Sequence, residues 1–325
     1  MATLSLSKKI LTTCCLGIGL SMTTVSIAAD DLDILGQFLE QNLPTQHTPA
    51  QSTGAKGDLL QVIPQTPAQR IEEQASIAGP LLSSQSALIL NNKTGEVLYQ
   101  KNANRVMSIA SISKLMSAMV VLDSHPDMNE RITISPDEID RLKGTGSRLS
   151  VGTTLSRSEL LHLGLMSSEN RAIHALARSY PGGMPAFVAA MNRKAQSLGM
   201  NSSRFYEPTG LDFRNVSTAH DLSRMVQAAS QYALIRQNTT SNYGSIRTSE
   251  GRTQNYKNSN ALVREGNWNI ELQKTGYIRE AGRSMVVRAN VQNQPITIVL
   301  LNSPTSLTRV NDAHKIETWM QQRRS

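Results

Sequence analysis

A serine and a lysine three residues apart, Ser111 and Lys114, stand at the start of an apolar helical stretch. From Leu115 to Leu122 the only polar residue is Ser117, and the run contains neither Gly nor Pro. That pattern predicts a helix buried on all sides rather than one lying on a surface. One helical turn rises about 5.4 Å, so an i,i+3 pair projects from a single face. A hydroxyl and an amine are thereby held side by side on a rigid mount. The chemistry they offer is nucleophilic attack by the hydroxyl, with the amine taking its proton. An ordinary lysine titrates near 10.4, so keeping it neutral at pH 7 costs roughly 4.6 kcal/mol. Burial, a helix N-terminus or a second cation lowers that cost. Lys114 lies at such an N-terminus, and a cationic neighbour is expected beside it.

A Ser-x-x-Lys pair alone is weak evidence, since Ser5-Leu6-Ser7-Lys8 also matches it. Lys-Thr-Gly is equally weak, because Lys93-Thr94-Gly95 reads as a plain turn. Specificity lies in an ordered triple: Ser111-x-x-Lys114, then Ser168-Glu169-Asn170, then Lys274-Thr275-Gly276. Ser-x-Asn occurs once in the chain. Other hydrolytic signatures are missing, with no Gly-x-Ser-x-Gly elbow and no His-Glu-x-x-His. The six histidines are dispersed, which fits surface or packing roles rather than ligands or bases.

The elements that must position these motifs follow from the surrounding pattern. Residues 1–28 read as a signal peptide, with Lys8 and Lys9, an apolar run from Ile10 to Met22, and small residues Ser26-Ile27-Ala28. An uncleaved membrane anchor is the rival reading, but five Ser and Thr residues make the segment too polar for a comfortable span. Both cysteines, Cys14 and Cys15, fall inside it. Disulfides and Cys/His metal sites are therefore not expected in the mature chain, and no cofactor is called for. Losing Lys8 and Lys9 lowers the formal net charge from +8 to +6. The basic residues are scattered without runs or aromatic platforms, which argues against nucleic acid as a partner. No later segment is apolar enough to span a membrane. Residues 29–79, rich in Pro, Gln and Thr, read as a flexible arm. Within it, Leu32, Leu35, Leu39 and Leu43 fit a transient helix or a short docking helix.

The folded domain is expected over 80–325. Ser86–Leu90 and Glu96–Gln100 read as strands joined by the turn Asn91–Gly95. A capping box, Ser156 to Glu159, opens a leucine-rich helix. Further helices are predicted over Met184–Leu198, Thr218–Ala229 and Val310–Gln322. Strands are predicted over Glu271–Tyr277, Ser284–Val291 and Ile296–Leu301, the last two joined through Asn293-Gln294-Pro295. Strands at both ends thus enclose a helical middle, with no internal repeat.

The ordered triple is the signature shared by penicillin-binding proteins and class A β-lactamases, and the chain resembles the penicillin-binding D,D-peptidases over about Ser86 to Met320. Gly146-Ser147-Arg148-Leu149, Met166-Ser167-Ser168-Glu169-Asn170-Arg171, Tyr180-Pro181-Gly182-Gly183, Glu207-Pro208-Thr209-Gly210-Leu211 and Asn267-Trp268-Asn269-Ile270 extend the resemblance, most closely to its endopeptidase members. The resemblance implies an α/β fold of the β-lactamase/D,D-peptidase type. That fold is a five-stranded antiparallel sheet flanked by helices, with an inserted all-helical subdomain. It implies that Ser111 attacks the D-alanyl carbonyl and becomes an acyl-enzyme, that Lys114 takes its proton, and that Ser168 relays a proton to the leaving amine. Lys274 would tune that relay, and Asn170 would contact substrate and the active-site lysine. Thr275 would bind a substrate carboxylate, Gly276 would let the substrate lie along the strand edge, and the backbone N–H groups of Ser111 and Tyr277 would form the oxyanion hole.

The function so implied is a periplasmic serine-type D-alanyl-D-alanine endopeptidase. Its substrates would be the cross-linked peptides of peptidoglycan, and penicillins and other β-lactam antibiotics would be covalent inhibitors. A D-alanyl-D-alanine carboxypeptidase is the alternative. Many of those carry a second β-rich domain and a C-terminal anchor, for which the 49 residues after Gly276 leave no room. A class A β-lactamase needs Glu-x-x-x-Asn, and four residues after Glu207 stands Leu211. A penicillin-sensing domain needs a route across the membrane, which the sequence does not supply.

Overall fold

Alternation of side chains decides the centre of the molecule. In Ser86–Asn91 (β1), Leu88 points to one side while Ala87 and Ile89 point to the other. Gly282–Val291 (β4) divides Val286 from Met285 and Val287, and Gln294–Ser303 (β5) divides Val299 from Ile298 and Leu300. Both faces are apolar and buried, so these strands read as nearly continuous hydrophobic runs. With Val97–Lys101 (β2) and Asn269–Ile278 (β3) they form one antiparallel sheet in the order β2-β1-β5-β4-β3. The computed structural model describes residues 79–323. The expected signal peptide (1–28) and all but the last residue of the arm (29–79) lie outside the described residues.

Between β2 and β3 the chain builds a mostly helical insert. It comprises Ser113–Asp123 (α1), Arg157–Met166 (α2), Asn170–Arg178 (α3), Gly183–Ser197 (α4), Ala219–Ala229 (α5), Ala233–Thr240 (α6) and Ala261–Glu265 (α7). Short strand pairs supplement the helices, among them Arg131–Thr133 with Thr154–Ser156 and the hairpin Tyr243–Arg247 with Thr253–Lys257. After β5, Ser306–Gln322 (α8) packs Ala313, Ile316, Trp319 and Met320 on the outer face of the sheet. The inner face packs on the cluster that includes Leu115, Met116 and Met119 of α1. Every residue of α1 from Ser113 to Val121 is buried, as the apolar run predicts.

Two expectations are corrected. Ser111 is not on the α-helix itself but on a single 3-10 turn, Ala110–Ile112, that leads into it. In such a turn residues i and i+3 nearly eclipse, so the serine and lysine still share a face. The β4–β5 connection is Gln292-Asn293, both left-handed at φ 51° and 59°, with Val291 paired to Gln294. This is the two-residue geometry that matches strand twist. Gln294 and Pro295 belong to β5, where the Pro295 carbonyl accepts from Asn92 N at 2.8 Å. The capping box at Ser156 and Glu159 forms as expected.

Candidate active site

Lys114 is wholly buried. Its Nζ lies within hydrogen-bond reach of three oxygens, Ser111 Oγ at 2.6 Å, Asn170 Oδ1 at 2.7 Å and the Thr209 carbonyl at 2.7 Å. A neutral amine has two N–H groups and one lone pair. Asn170 Oδ1 and Thr209 O are pure acceptors, so they take the two N–H groups and leave the lone pair facing the Ser111 hydroxyl. Burial brings the lysine down from 10.5 to about 7, against the opposing pull of Glu207 and Glu169. The expected cationic neighbour is thus not what lowers it. Desolvation does the work, because the charged form loses water that three hydrogen bonds do not replace.

The Thr209 carbonyl is presented by a loop from Glu207 to Asn215 that is folded around its own carboxylate. Glu207 accepts from Thr209 N and Thr209 Oγ1, both at 2.6 Å, and from Gly210 N. Asn215 closes the loop, donating to the Glu207 carbonyl at 2.8 Å and to Ser113 Oγ at 3.1 Å. Gly210, at φ +87°, presses on the nucleophile turn, and a Cβ there would lie 1.9 Å from Ala110 O. Sequence reasoning missed this loop as part of the site. A carbonyl oxygen and an absent side chain leave no residue-type signal, and only the quoted segment Glu207–Leu211 marked the place.

Ser168, Glu169 and Asn170 join α2 to α3. Ser168 holds a left-handed backbone at φ 64°, and its Oγ accepts from Lys274 Nζ at 2.8 Å. Glu169 caps α3 through Arg171 N and accepts from Ser147 Oγ at 2.6 Å. Burial lifts its carboxyl above the usual carboxylate range despite those bonds. Asn170 also donates to Thr145 Oγ1 at 3.4 Å.

The third motif lies on β3, the edge strand of the sheet. Lys274 is buried and bonds the Thr275 carbonyl at 2.9 Å as well as Ser168. Thr275 Oγ1 donates to Ser259 Oγ at 2.8 Å. A Cβ on Gly276 would sit 2.9 Å from Ile109 O and 3.1 Å from Ser111 N, so the strand touches the nucleophile turn only because that side chain is missing. Tyr277 is 42% exposed, with the Arg283 guanidinium 3.5 Å above its ring. Contacts thus join Ser111, Lys114 and Asn170 in one group and Ser168, Lys274 and Thr275 in another, and Gly276 brings β3 against the first group at Ser111 N, with Tyr277 next along the strand. The arrangement offers a hydroxyl nucleophile with a near-neutral amine, a second hydroxyl beside the buried Lys274 amine, and a sheet-edge strand. Among the described residues no helix is long and apolar enough to cross a membrane.

The family model described as D-alanyl-D-alanine carboxypeptidase matches residues 72–305. A D-alanyl-D-alanine endopeptidase of Pseudomonas aeruginosa is 44% identical over 241 residues, covering 74% of this chain and 78% of the relative. A D-alanyl-D-alanine endopeptidase of Escherichia coli is 43% identical over 243 residues with the same coverage. Among solved structures, a Streptomyces DD-transpeptidase superposes with TM-score 0.69 at 26% identity, covering 74% of this chain and 97% of that one. The chain belongs to the D-alanyl-D-alanine carboxypeptidase family of serine peptidases.

Proposed function

We propose that the chain is a serine-type D-alanyl-D-alanine endopeptidase that opens peptide cross-links of peptidoglycan through an acyl-enzyme on Ser111. The observation that carries it is the Lys114 amine, fixed by Asn170 and Thr209 with its lone pair on Ser111 Oγ. Lys114 takes the hydroxyl proton as Oγ bonds to the D-alanyl carbonyl carbon. The oxyanion forms between the N–H groups of Ser111 and Tyr277, donors of a kind worth several kcal/mol. When the carbon–nitrogen bond breaks, the leaving amine receives a proton through Ser168, whose oxygen is held by Lys274. That proton is the one Lys114 took from Ser111; water then cleaves the ester, giving a proton to Lys114, which passes it on to Ser111 Oγ. Thr275 binds the carboxylate of the leaving residue, and Gly276 leaves room for the substrate backbone beside β3.

The export signal over 1–28, the arm over 29–79 and a catalytic domain over 80–325 support action in the periplasm, and penicillins acylate the same serine. Carboxypeptidase action is the second reading, favoured by the description of the family model. Purified cross-linked muropeptide dimers and uncross-linked pentapeptides decide between them. The endopeptidase converts dimers to monomers much faster than it releases D-alanine from monomers, and Ser111→Ala abolishes both reactions and penicillin labelling. Release of D-alanine with dimers left intact would overturn the reading.

A further inference from the structure

We infer that Asp140 is a positioning residue for the acylation of Ser111, deciding through the Thr145 hydroxyl which end of the Asn170 amide faces Lys114; this rests on the acyl-enzyme reading above. A side-chain amide has an acceptor end and a donor end of nearly the same shape. With Oδ1 turned to Lys114, 2.7 Å away, Asn170 takes one N–H of the neutral amine and leaves the lone pair to Ser111. Turned over, the amide would offer an Nδ2–H to that lone pair and occupy the base. A neutral amine both donates and accepts, so Lys114 itself does not choose between the two. The choice falls to the far end of the amide, where Nδ2 meets Thr145 Oγ1 at 3.4 Å.

A threonine hydroxyl also donates or accepts, so Thr145 settles nothing alone. Asp140 settles it. Its Oδ2 accepts from the Thr145 hydroxyl at 2.7 Å and from Thr145 N at 2.9 Å, while Oδ1 accepts from Leu142 N at 2.8 Å and Lys143 N at 3.0 Å. Partial burial works against its charge, but the Thr145 hydroxyl and these amides outweigh it and hold the carboxyl below the usual carboxylate range. An ionised carboxylate only accepts. The Thr145 proton therefore points at Asp140, its oxygen is left to accept from Asn170 Nδ2, and Oδ1 is left for the lysine. Asp140, Thr145, Asn170, Lys114 and Ser111 thus form one directed chain of hydrogen bonds. The segment that carries its first two members is tied down on both sides, Lys143 to Glu280 of the β3–β4 turn at 2.5 Å and Ser147 to Glu169 at 2.6 Å.

Acylation of the full chain by a fluorescent penicillin, followed from pH 5 to 10, tests this. Rate constants are taken from time courses, which do not depend on how much of a variant is folded. In Asp140→Asn the new amide turns an N–H toward Thr145 Oγ1, whose proton then faces Asn170 and favours the overturned orientation. One reversed hydrogen bond is worth about tenfold, so the plateau rate at high pH is expected to fall about tenfold. At pH 5 the variant should still match the unaltered chain, because Lys114 is then an ammonium, which only Oδ1 can face. The inflection accordingly moves down from about 7 to about 6. Glu207 and Glu169, the carboxylates that also act on Lys114, stay in place in every variant. Thr145→Val removes the hydroxyl through which Asp140 acts and leaves the two orientations equally placed, a loss of about twofold at the plateau. The double variant should be no slower than Thr145→Val alone, so that deleting the hydroxyl rescues Asp140→Asn about fivefold. A loss of equal size at every pH, complete loss included, or a double variant as slow as Asp140→Asn overturns the positioning role and leaves the acyl-enzyme reading standing. If the unaltered chain takes no label at any pH, that reading falls and the positioning role with it.

Discussion

Replacing Asn170 by aspartate keeps the shape of the side chain and places a charge 2.7 Å from the Lys114 amine. At an effective dielectric of about 20 the Coulomb attraction at that distance is about 6 kcal/mol. Desolvating the new carboxylate consumes part of it. If half remains, about 3 kcal/mol, it raises the lysine by roughly two pH units at 1.36 kcal/mol each. Lys114 then moves from about 7 to about 9, and the neutral fraction at pH 7 falls about fiftyfold. Acylation by a fluorescent penicillin, quenched at intervals and read on a gel, measures this from pH 5 to 10. The unaltered chain is expected to rise tenfold per pH unit below 7 and then level off. Asn170→Asp is expected to be about fiftyfold slower at pH 7 and to recover most of its rate near pH 9.5. A loss of equal size at every pH would show that Asn170 acts through the substrate alone. A single inflection above pH 9 in the unaltered chain would refute the buried neutral amine.

Three further outcomes follow from the same geometry. Gly210→Ala puts a Cβ 1.9 Å from Ala110 O and 2.7 Å from Ser111 N at φ +87°; both obstacles are backbone, so the loop retreats with the Thr209 carbonyl, and penicillin acylation should fall at least a hundredfold while far-UV circular dichroism is unchanged. For Lys114 the folded value, about 7, lies below the ordinary 10.5, so between those pH values the unfolded chain holds the proton and the folded chain does not, and stability rises with pH. The difference corresponds to about 5 kcal/mol, present in full below pH 7 and relieved by pH 10.5; urea unfolding of Lys114→Met against the unaltered chain should therefore show a stability difference that shifts in favour of the unaltered chain as pH rises from 7 to 10, and a flat difference would contradict it. Finally, the Glu207 carboxylate is taken up by Thr209, Gly210 and Asn215, which leaves it badly placed to hold a hydrolytic water, so the penicilloyl adduct should persist for many minutes by mass spectrometry, and release within seconds with repeated turnover would contradict that.

What the sequence makes legible here is what depends on side-chain type and period. The wholly buried α1 follows from an apolar run without a polar face, and the two-faced burial of β1, β4 and β5 follows from unbroken apolar stretches at their centres, Ala87 to Leu90, Met285 to Val287 and Ile298 to Leu301. Ser111, Lys114, Ser168, Asn170 and Lys274 announce themselves because hydroxyls, amines and amides carry the chemistry. Helices α3 and α6 and the hairpin from Tyr243 to Lys257 are less legible. Short elements with mixed polarity, such as Ala233–Thr240, owe their form to packing against β3 rather than to a periodic pattern. The turn at Gln292-Asn293 is hidden because the next residues, Gln294 and Pro295, look like loop and yet pair in the sheet. That burial is what lowers Lys114 is hidden for a related reason, since burial is a property of the assembled fold and not of neighbouring letters.

The site's rigidity comes from thinness as much as from bonds. Ala110 precedes the nucleophile in a left-handed conformation, φ 47°, and Ser168 adopts another, φ 64°. Non-glycine residues there cost on the order of 1–2 kcal/mol each, so the surrounding packing must over-determine them. Ala110 is fully buried, and its carbonyl accepts from Ser113 Oγ at 2.9 Å. Ser168 Oγ is fixed by Lys274. The nucleophile turn is then gripped from two sides by backbones that carry no side chain, Gly210 on the loop and Gly276 on β3. Any Cβ at those positions would lie within 2.7 and 3.1 Å of Ser111 N. The two glycines thus serve different ends. Gly210 needs its positive φ and its close approach together, whereas Gly276 lies in extended strand and is needed for close approach alone. An amide clamped in such a slot has little freedom to turn, so in the proposed mechanism, where its N–H serves the oxyanion, little reorganisation is left for the moment of reaction.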